Sequence, residues 1–200
     1  MGVGIYMQNL LQGLNIYLVG MMGSGKTTVG ELLAKQLGYK FFDTDALITQ
    51  VAGKSISNIF AEEGEVEFRA IEAQVLGEIS SYTRLVVATG GGIVMNQQNW
   101  GYLHQGLVIW LDVPIPLLIA RLQCDRQTAD QRPLLQSPNP EQRLQEILMQ
   151  RQEMYAEADL RISISSEHTP PMVQTEIWEV IPTVIKKSTR LDRQLVRELN

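Results

Sequence analysis

The chain is 200 residues long, 44% hydrophobic and 20% charged, with a formal net charge of −5. That is the profile of a soluble globular protein of one domain, long enough to bury a sizeable core. The acidic balance argues against nucleic acid as the main partner, because a surface that tracks phosphates is basic, and the single cysteine, Cys124, excludes an internal disulfide and agrees with a reducing cytoplasm.

In chain order, residues 1–15 read as a short lead-in without the basic start or small-residue cleavage site of a signal peptide. Met7 is an alternative start. Residues 16–19, Ile-Tyr-Leu-Val, read as a buried strand. Gly20-Met21-Met22-Gly23-Ser24-Gly25-Lys26-Thr27-Thr28 follows and fits G-x-x-x-x-G-K-[ST], a phosphate-binding P-loop, without mismatch. A helical apolar period over residues 29–37 then stops at Gly38. Residues 39–42 form a second predicted strand, ending at Asp43-Thr44-Asp45. Short helices are predicted over 46–51 and 57–63 around a turn at Gly53, and a longer one over 65–79. A third strand, 85–89, ends in Gly90-Gly91-Gly92. A helix over 96–104, a strand over 107–111 and a helix over 115–122 come next. The apolar stretch 107–122 carries Asp112, Pro114 and Pro116, so it is no membrane span.

Residues 124–140 are polar and hold three prolines, which predicts a long lid-like loop. A helix over 141–155, a strand over 160–164 and a closing helix over 172–181 complete the domain. Strands alternating with helices predict a three-layer α/β fold, with a five-stranded parallel sheet and right-handed crossovers. The organisation expected is one P-loop kinase domain over 1–185, its lid at about 124–140, and a basic tail over 186–200. The tail carries five Lys/Arg against two Asp/Glu. A frayed end is expected there in preference to an amphipathic helix docked on the acidic body.

Chemistry in such a sheet gathers beyond the carboxyl ends of the strands. The P-loop N–H groups and the helix N-terminus suit phosphate, Lys26 suits the β- and γ-phosphates, and the Thr27 hydroxyl suits Mg²⁺. Asp43 and Asp45, two apart on an extended stretch, would point to one side. One carboxylate would serve the metal and the other would accept a proton, the alternative being a polar turn. The triple glycine marks either a tight turn or room for a ligand. Arg151 occupies the i+7 place of the apolar stripe of Leu144, Ile147, Leu148, Met154 and Tyr155, so it should face inward and need an anion. Arg69 and Glu72, three apart, read from spacing as an exposed helical ion pair. Arg132, before Pro133-Leu134-Leu135, suits a lid arginine, and Arg121 lies where a nucleotide base would stack. His104, His168 and Cys124 match no metal spacing.

Taken in order, GMMGSGKTT, DTD (residues 43–45), Phe68-Arg69-Ala70-Ile71-Glu72, Gly90-Gly91-Gly92, Arg132-Pro133-Leu134-Leu135 and the Arg151…Tyr155 segment resemble the shikimate kinase family over roughly residues 15–181. The resemblance implies ATP-dependent phosphorylation of the shikimate 3-hydroxyl in the route to chorismate, with one Mg²⁺ per subunit. It implies Gly23, Ser24, Gly25, Lys26, Thr27, Thr28, Arg121 and Arg132 at ATP, and Asp43 and Thr27 at the metal. Asp45, Arg69, Gly91, Gly92 and Arg151 fall to shikimate, with Asp45 also the base, Glu72 bracing the site, and Lys26 and Arg132 neutralising the transferring phosphoryl. This reverses the spacing-only reading of Arg69 and supplies the anion that Arg151 requires. The stretch between Arg121 and Arg132 is longer than in many members, and the tail extends past the usual end. Partners expected are ATP and shikimate, with no nucleic acid and no membrane, for a cytoplasmic monomer. The alternatives are another small-metabolite or nucleoside monophosphate kinase, or a non-catalytic nucleotide-binding regulatory module; the latter would be expected to have lost Lys26, Asp43 or Asp45.

Overall fold

The computed structural model describes residues 2–124 and 139–198, with side chains described over 6–124 and 139–185. The expected lid, and Arg132 with it, therefore falls almost wholly outside the described residues. Five short runs rich in β-branched and aromatic residues form strands: β1 Ile16–Val19, β2 Lys40–Asp43, β3 Leu85–Ala88, β4 Leu107–Asp112 and β5 Leu160–Ser163. They build one parallel sheet in the order β2-β3-β1-β4-β5. Successive side chains of a strand point to opposite faces, yet every residue of β1 and β3 is buried. Both faces are therefore covered, as a parallel sheet requires.

The helices are α1 Gly2–Leu11, α2 Lys26–Leu37, α3 Thr44–Ala52, α4 Ile56–Glu62, α5 Gly64–Ser80, α6 Gln97–Leu103, α7 Ile115–Cys124, α8 Pro140–Tyr155 and α9 Pro170–Glu198. Their ends follow the local chemistry. Gly38 (φ 67°) closes α2, with the Tyr39 N–H returning to the Ala34 carbonyl at 2.9 Å. Ser55 caps α4 by accepting from the Asn58 N–H at 3.2 Å. Asn96 and Asn139 cap α6 and α8 in the same way. At Gly30 a Cβ would stand 2.6 Å from Cε2 of Phe41, so α2 approaches β2 more closely than any larger residue allows.

Two expectations are corrected. Residues 1–15 are not a bare lead-in, because α1 occupies most of them and buries Met7 and Leu11. The Gln8 amide ties α1 to the end of α2 through the Leu37 carbonyl at 2.5 Å. At the other end the closing helix runs past the expected 172–181: α9 spans Pro170–Glu198, in place of a frayed tail. Among the described residues no helix is long and apolar enough to cross a membrane.

Candidate active site

β1 leads away to β2 at one edge of the sheet, and β4 leads to β5 at the other, so a crevice opens at their carboxyl ends. The P-loop fills it. Gly20, Gly23 and Gly25 have φ values of 141°, 75° and 96°, a curl that a β-carbon would strain. α2 starts at Lys26, and the N–H groups of a helix's first turn lie outside its own hydrogen-bond ladder, which makes this end of α2 suited to an anion. Lys26 is nearly buried, and its ammonium donates to the carbonyls of Gly20 and Met21, both at 2.9 Å. Ser24 is buried beneath the loop. Arg121, half-buried in the last turn of α7, donates to the Ser24 carbonyl at 3.2 Å and lies on the loop's outer side. Burial lowers its pKa from the ordinary value.

Asp43 ends β2 and caps α3, accepting from the Asp45 and Ala46 N–H groups at 3.0 and 3.4 Å. Asp43 and Asp45 therefore do not share a side by strand alternation. Asp43 closes the strand, while Asp45 lies in the first turn of the following helix, where the dipole favours a negative charge. The second Asp43 oxygen accepts from the Thr27 hydroxyl at 2.8 Å. A carboxylate and a hydroxyl thus stand together beside the phosphate loop. Both are hard oxygen donors of the kind that holds Mg²⁺ together with substrate phosphates. Among the described residues no group of three or more His, Cys, Asp or Glu side chains could by itself hold a metal ion.

The triple glycine runs along the opposite wall. None of its three residues has a positive φ, so crowding rather than backbone conformation demands glycine there. A Cβ on Gly90 would lie 2.8 Å from an Asp45 carboxylate oxygen and 2.9 Å from Oε1 of Glu72. On Gly92 it would meet the Arg69 guanidinium at 2.5 and 2.7 Å. The Gly90 N–H is held by the buried Thr44 hydroxyl at 2.8 Å. Asp45 keeps an open side to the cleft, but the protein mass around its carboxylate raises its pKa. The Asp43 charge adds to that rise, and Lys26 and Arg69 oppose it. Glu72 is buried and ion-paired to Arg69 at 2.9 Å. Burial likewise raises its pKa, against the pull of Arg69.

Arg69 makes its helical pairs with Glu65 and Glu72, as the spacing suggests, but its guanidinium lies against Gly92 and not on an outer face. Arg151 faces inward as its place in the stripe predicts. Its Nη1 donates to the Gly91 carbonyl at 3.0 Å, and among the described residues it forms no ion pair. The same carbonyl accepts a 2.6 Å bond from the hydroxyl of Tyr155, one turn further along α8. The sequence places Tyr155 on the inward stripe and Thr44 between the two aspartates, but gives neither a role at the site. The i,i+4 spacing of Arg151 and Tyr155 was the available signal.

A parallel sheet with a P-loop at its centre, a helix-capping aspartate against the P-loop threonine, and a second carboxylate near Lys26 and Arg69 define a P-loop kinase. The shikimate kinase family model matches residues 22–182. The chain is 55% identical to a shikimate kinase of Trichormus variabilis, over 92% of this chain and 99% of that one. It is 57% identical to that of Synechococcus elongatus, over 89% and 92%. The crystal structure of shikimate kinase from Acinetobacter baumannii in complex with shikimate superposes with a TM-score of 0.80 at 40% identity, covering 88% of this chain and 97% of the other. The chain belongs to the shikimate kinase family. A deoxyadenosine kinase from M. mycoides, at 14% identity and a TM-score of 0.55, shares the fold alone.

Proposed function

We propose that the protein transfers the γ-phosphoryl group of ATP to the 3-hydroxyl of shikimate, giving ADP and shikimate 3-phosphate. The observation that carries this reading is the pair of arginines on the glycine wall. Arg69 lies against Gly92 and Arg151 on Gly91, and the Asp45 carboxylate lies against Gly90. Two guanidinium groups converging beside bare backbone suit the carboxylate of an acidic polyol and discriminate against neutral sugars. A relative solved with shikimate bound supports the same acceptor.

In the mechanism, the P-loop N–H groups and Lys26 hold the β- and γ-phosphates, with Gly23, Ser24, Gly25 and Thr28 shaping that cradle. Arg121 packs on the adenine. Thr27 and Asp43 would hold Mg²⁺, which when bound neutralises phosphate charge and orients the γ-phosphoryl. Arg69 and Arg151 fix the substrate carboxylate against Gly91 and Gly92. Asp45 binds the ring hydroxyls and takes the proton of the attacking 3-hydroxyl as its oxygen bonds to phosphorus and the ADP oxygen leaves. Arg132, from the lid, adds positive charge to the transferring group. The enzyme works as a cytoplasmic monomer with no nucleic-acid or membrane partner.

The test is ADP release from MgATP with and without shikimate, beside the variants Asp45→Asn and Arg151→Ala. Turnover should depend on shikimate. Asp45→Asn should abolish it, and Arg151→Ala should weaken shikimate binding by about 2–5 kcal/mol, the usual loss when one member of a desolvated charge pair is truncated. A shikimate dissociation constant within about tenfold of wild type would refute the role of Arg151.

A further inference from the structure

Tyr155 is fully buried at the end of α8, and its surroundings explain its ring more readily than its hydroxyl. The ring stacks on Trp110 of β4, with centroids 5.7 Å apart and planes 21° from parallel. Phenylalanine would serve that contact equally well. The hydroxyl, in contrast, projects to the meeting point of the two halves of the site. It donates 2.6 Å to the Gly91 carbonyl and lies 3.8 Å from Sδ of Met21 in the P-loop. Gly91 is itself pressed on that loop, since its Cβ would stand 3.5 Å from the Gly20 carbonyl oxygen and 3.6 Å from the Met22 nitrogen.

The Gly91 carbonyl thus has two donors, Tyr155 and the Arg151 guanidinium. Their duties differ. The arginine must turn some of its donors to an arriving carboxylate, and each donor that leaves the carbonyl removes a hydrogen bond from a partly buried oxygen. The phenol oxygen also meets Arg151 and lies near the Met21 sulfur, but its short bond, at 2.6 Å, goes to the Gly91 carbonyl. Burial pushes its pKa up to about 12, so it remains a neutral donor at any working pH.

We propose that Tyr155 is a positioning residue: its hydroxyl anchors the Gly91 carbonyl, which holds the glycine wall in place and leaves Arg151 available to the substrate carboxylate. Without that hydroxyl, Arg151 would be the only described donor to this carbonyl, and binding substrate would cost it the bond. The inference rests on shikimate as the acceptor.

The experiment is steady-state kinetics of Tyr155→Phe, Arg151→Ala and the double variant, with Trp110→Phe as a packing control and thermal melts of each. Tyr155→Phe should raise the shikimate KM about tenfold, the usual worth of one such bond, and change the ATP KM by less than about twofold. In the Arg151→Ala background the same substitution should add less than about twofold, because the two side chains act as a unit. Trp110→Phe should lower Tm but leave the shikimate KM unchanged. Three results would overturn the proposal: an unchanged KM in Tyr155→Phe, additive effects in the double variant, or a KM rise in Trp110→Phe equal to that of Tyr155→Phe. Wild-type protein that ignores shikimate would sink the acceptor reading and this proposal together. Normal wild-type turnover with an indifferent Tyr155→Phe would sink only the latter.

Discussion

Glu72 is 1% exposed, and only one of its oxygens is met. Oε2 pairs with Arg69 at 2.9 Å, whereas Oε1 has no hydrogen-bond partner among the described residues and lies beside Asp45 at Gly90. Burial raises its pKa above the unfolded value, so the folded state binds this proton more tightly than the unfolded chain does. The resulting stabilisation is complete below the unfolded pKa, about 4.3, and is lost as pH rises through the folded value. Above its folded pKa the ionised carboxylate therefore weakens the fold relative to the protonated form, while it pairs with Arg69. Glu72→Gln keeps the shape and removes the charge. It should melt at a higher temperature than wild type near pH 8, lose that advantage as pH falls towards about 4, and raise the shikimate KM because Arg69 is less firmly held. Melting curves across that range check the sign. A glutamine variant less stable than wild type near pH 8 would mean that the Arg69 pair outweighs desolvation.

At the scale of elements, α1 supplies the clearest case of structure that the sequence conceals. Ten residues containing two glycines have too little intrinsic helicity to be read as a helix, and an isolated helix of that length is marginal in water. Tertiary contact holds it, through Met7 and Leu11 in the core and Gln8 on the last carbonyl of α2. Leu11→Ala should therefore cost about 2–5 kcal/mol, like other leucine truncations in a packed core, with little change in either KM. Urea unfolding checks this, and a loss below about 0.5 kcal/mol would show that α1 is dispensable. The legible elements were those with local punctuation, such as Gly38 after α2, Gly53 after α3 and Asn96 before α6. The P-loop was legible for the same reason, since its parts are contiguous. The glycine wall was legible in part: the stripe turned Arg151 inward, but the spacing of Arg69 and Glu72 gives their pairing and not their destination at Gly92. Asp43 and Asp45 were placed by assuming that the strand continued, whereas the helix begins between them.

For the whole molecule, sheet order brings these distant stretches together. β2, β3 and β1 are neighbours, so Asp43, the triple glycine and the P-loop end side by side although they span some seventy residues of chain. On the proposed function the cleft has two walls with separate duties, nucleotide on the α2 side and acid on the Arg69 and Arg151 side. A ligand that binds only the native state stabilises it by about 2.7 kcal/mol at a hundred times its dissociation constant. In a chain of this size that corresponds to a Tm rise of roughly 5–10 °C. MgATP and shikimate should each produce such a shift, and the variants should separate them. Lys26→Ala is expected to lose the nucleotide shift and keep much of the shikimate shift, while Arg151→Ala does the reverse. Gly91 lies between the walls, with room for no more than a methyl group towards the Gly20 carbonyl and a hydrogen bond from Arg151 on the other side, so the two ligands should not act independently. With both present, the wild-type shift should exceed the sum of the separate shifts. Strict additivity would show that the walls are merely adjacent, and the coupling assigned to Gly91 would have to be abandoned.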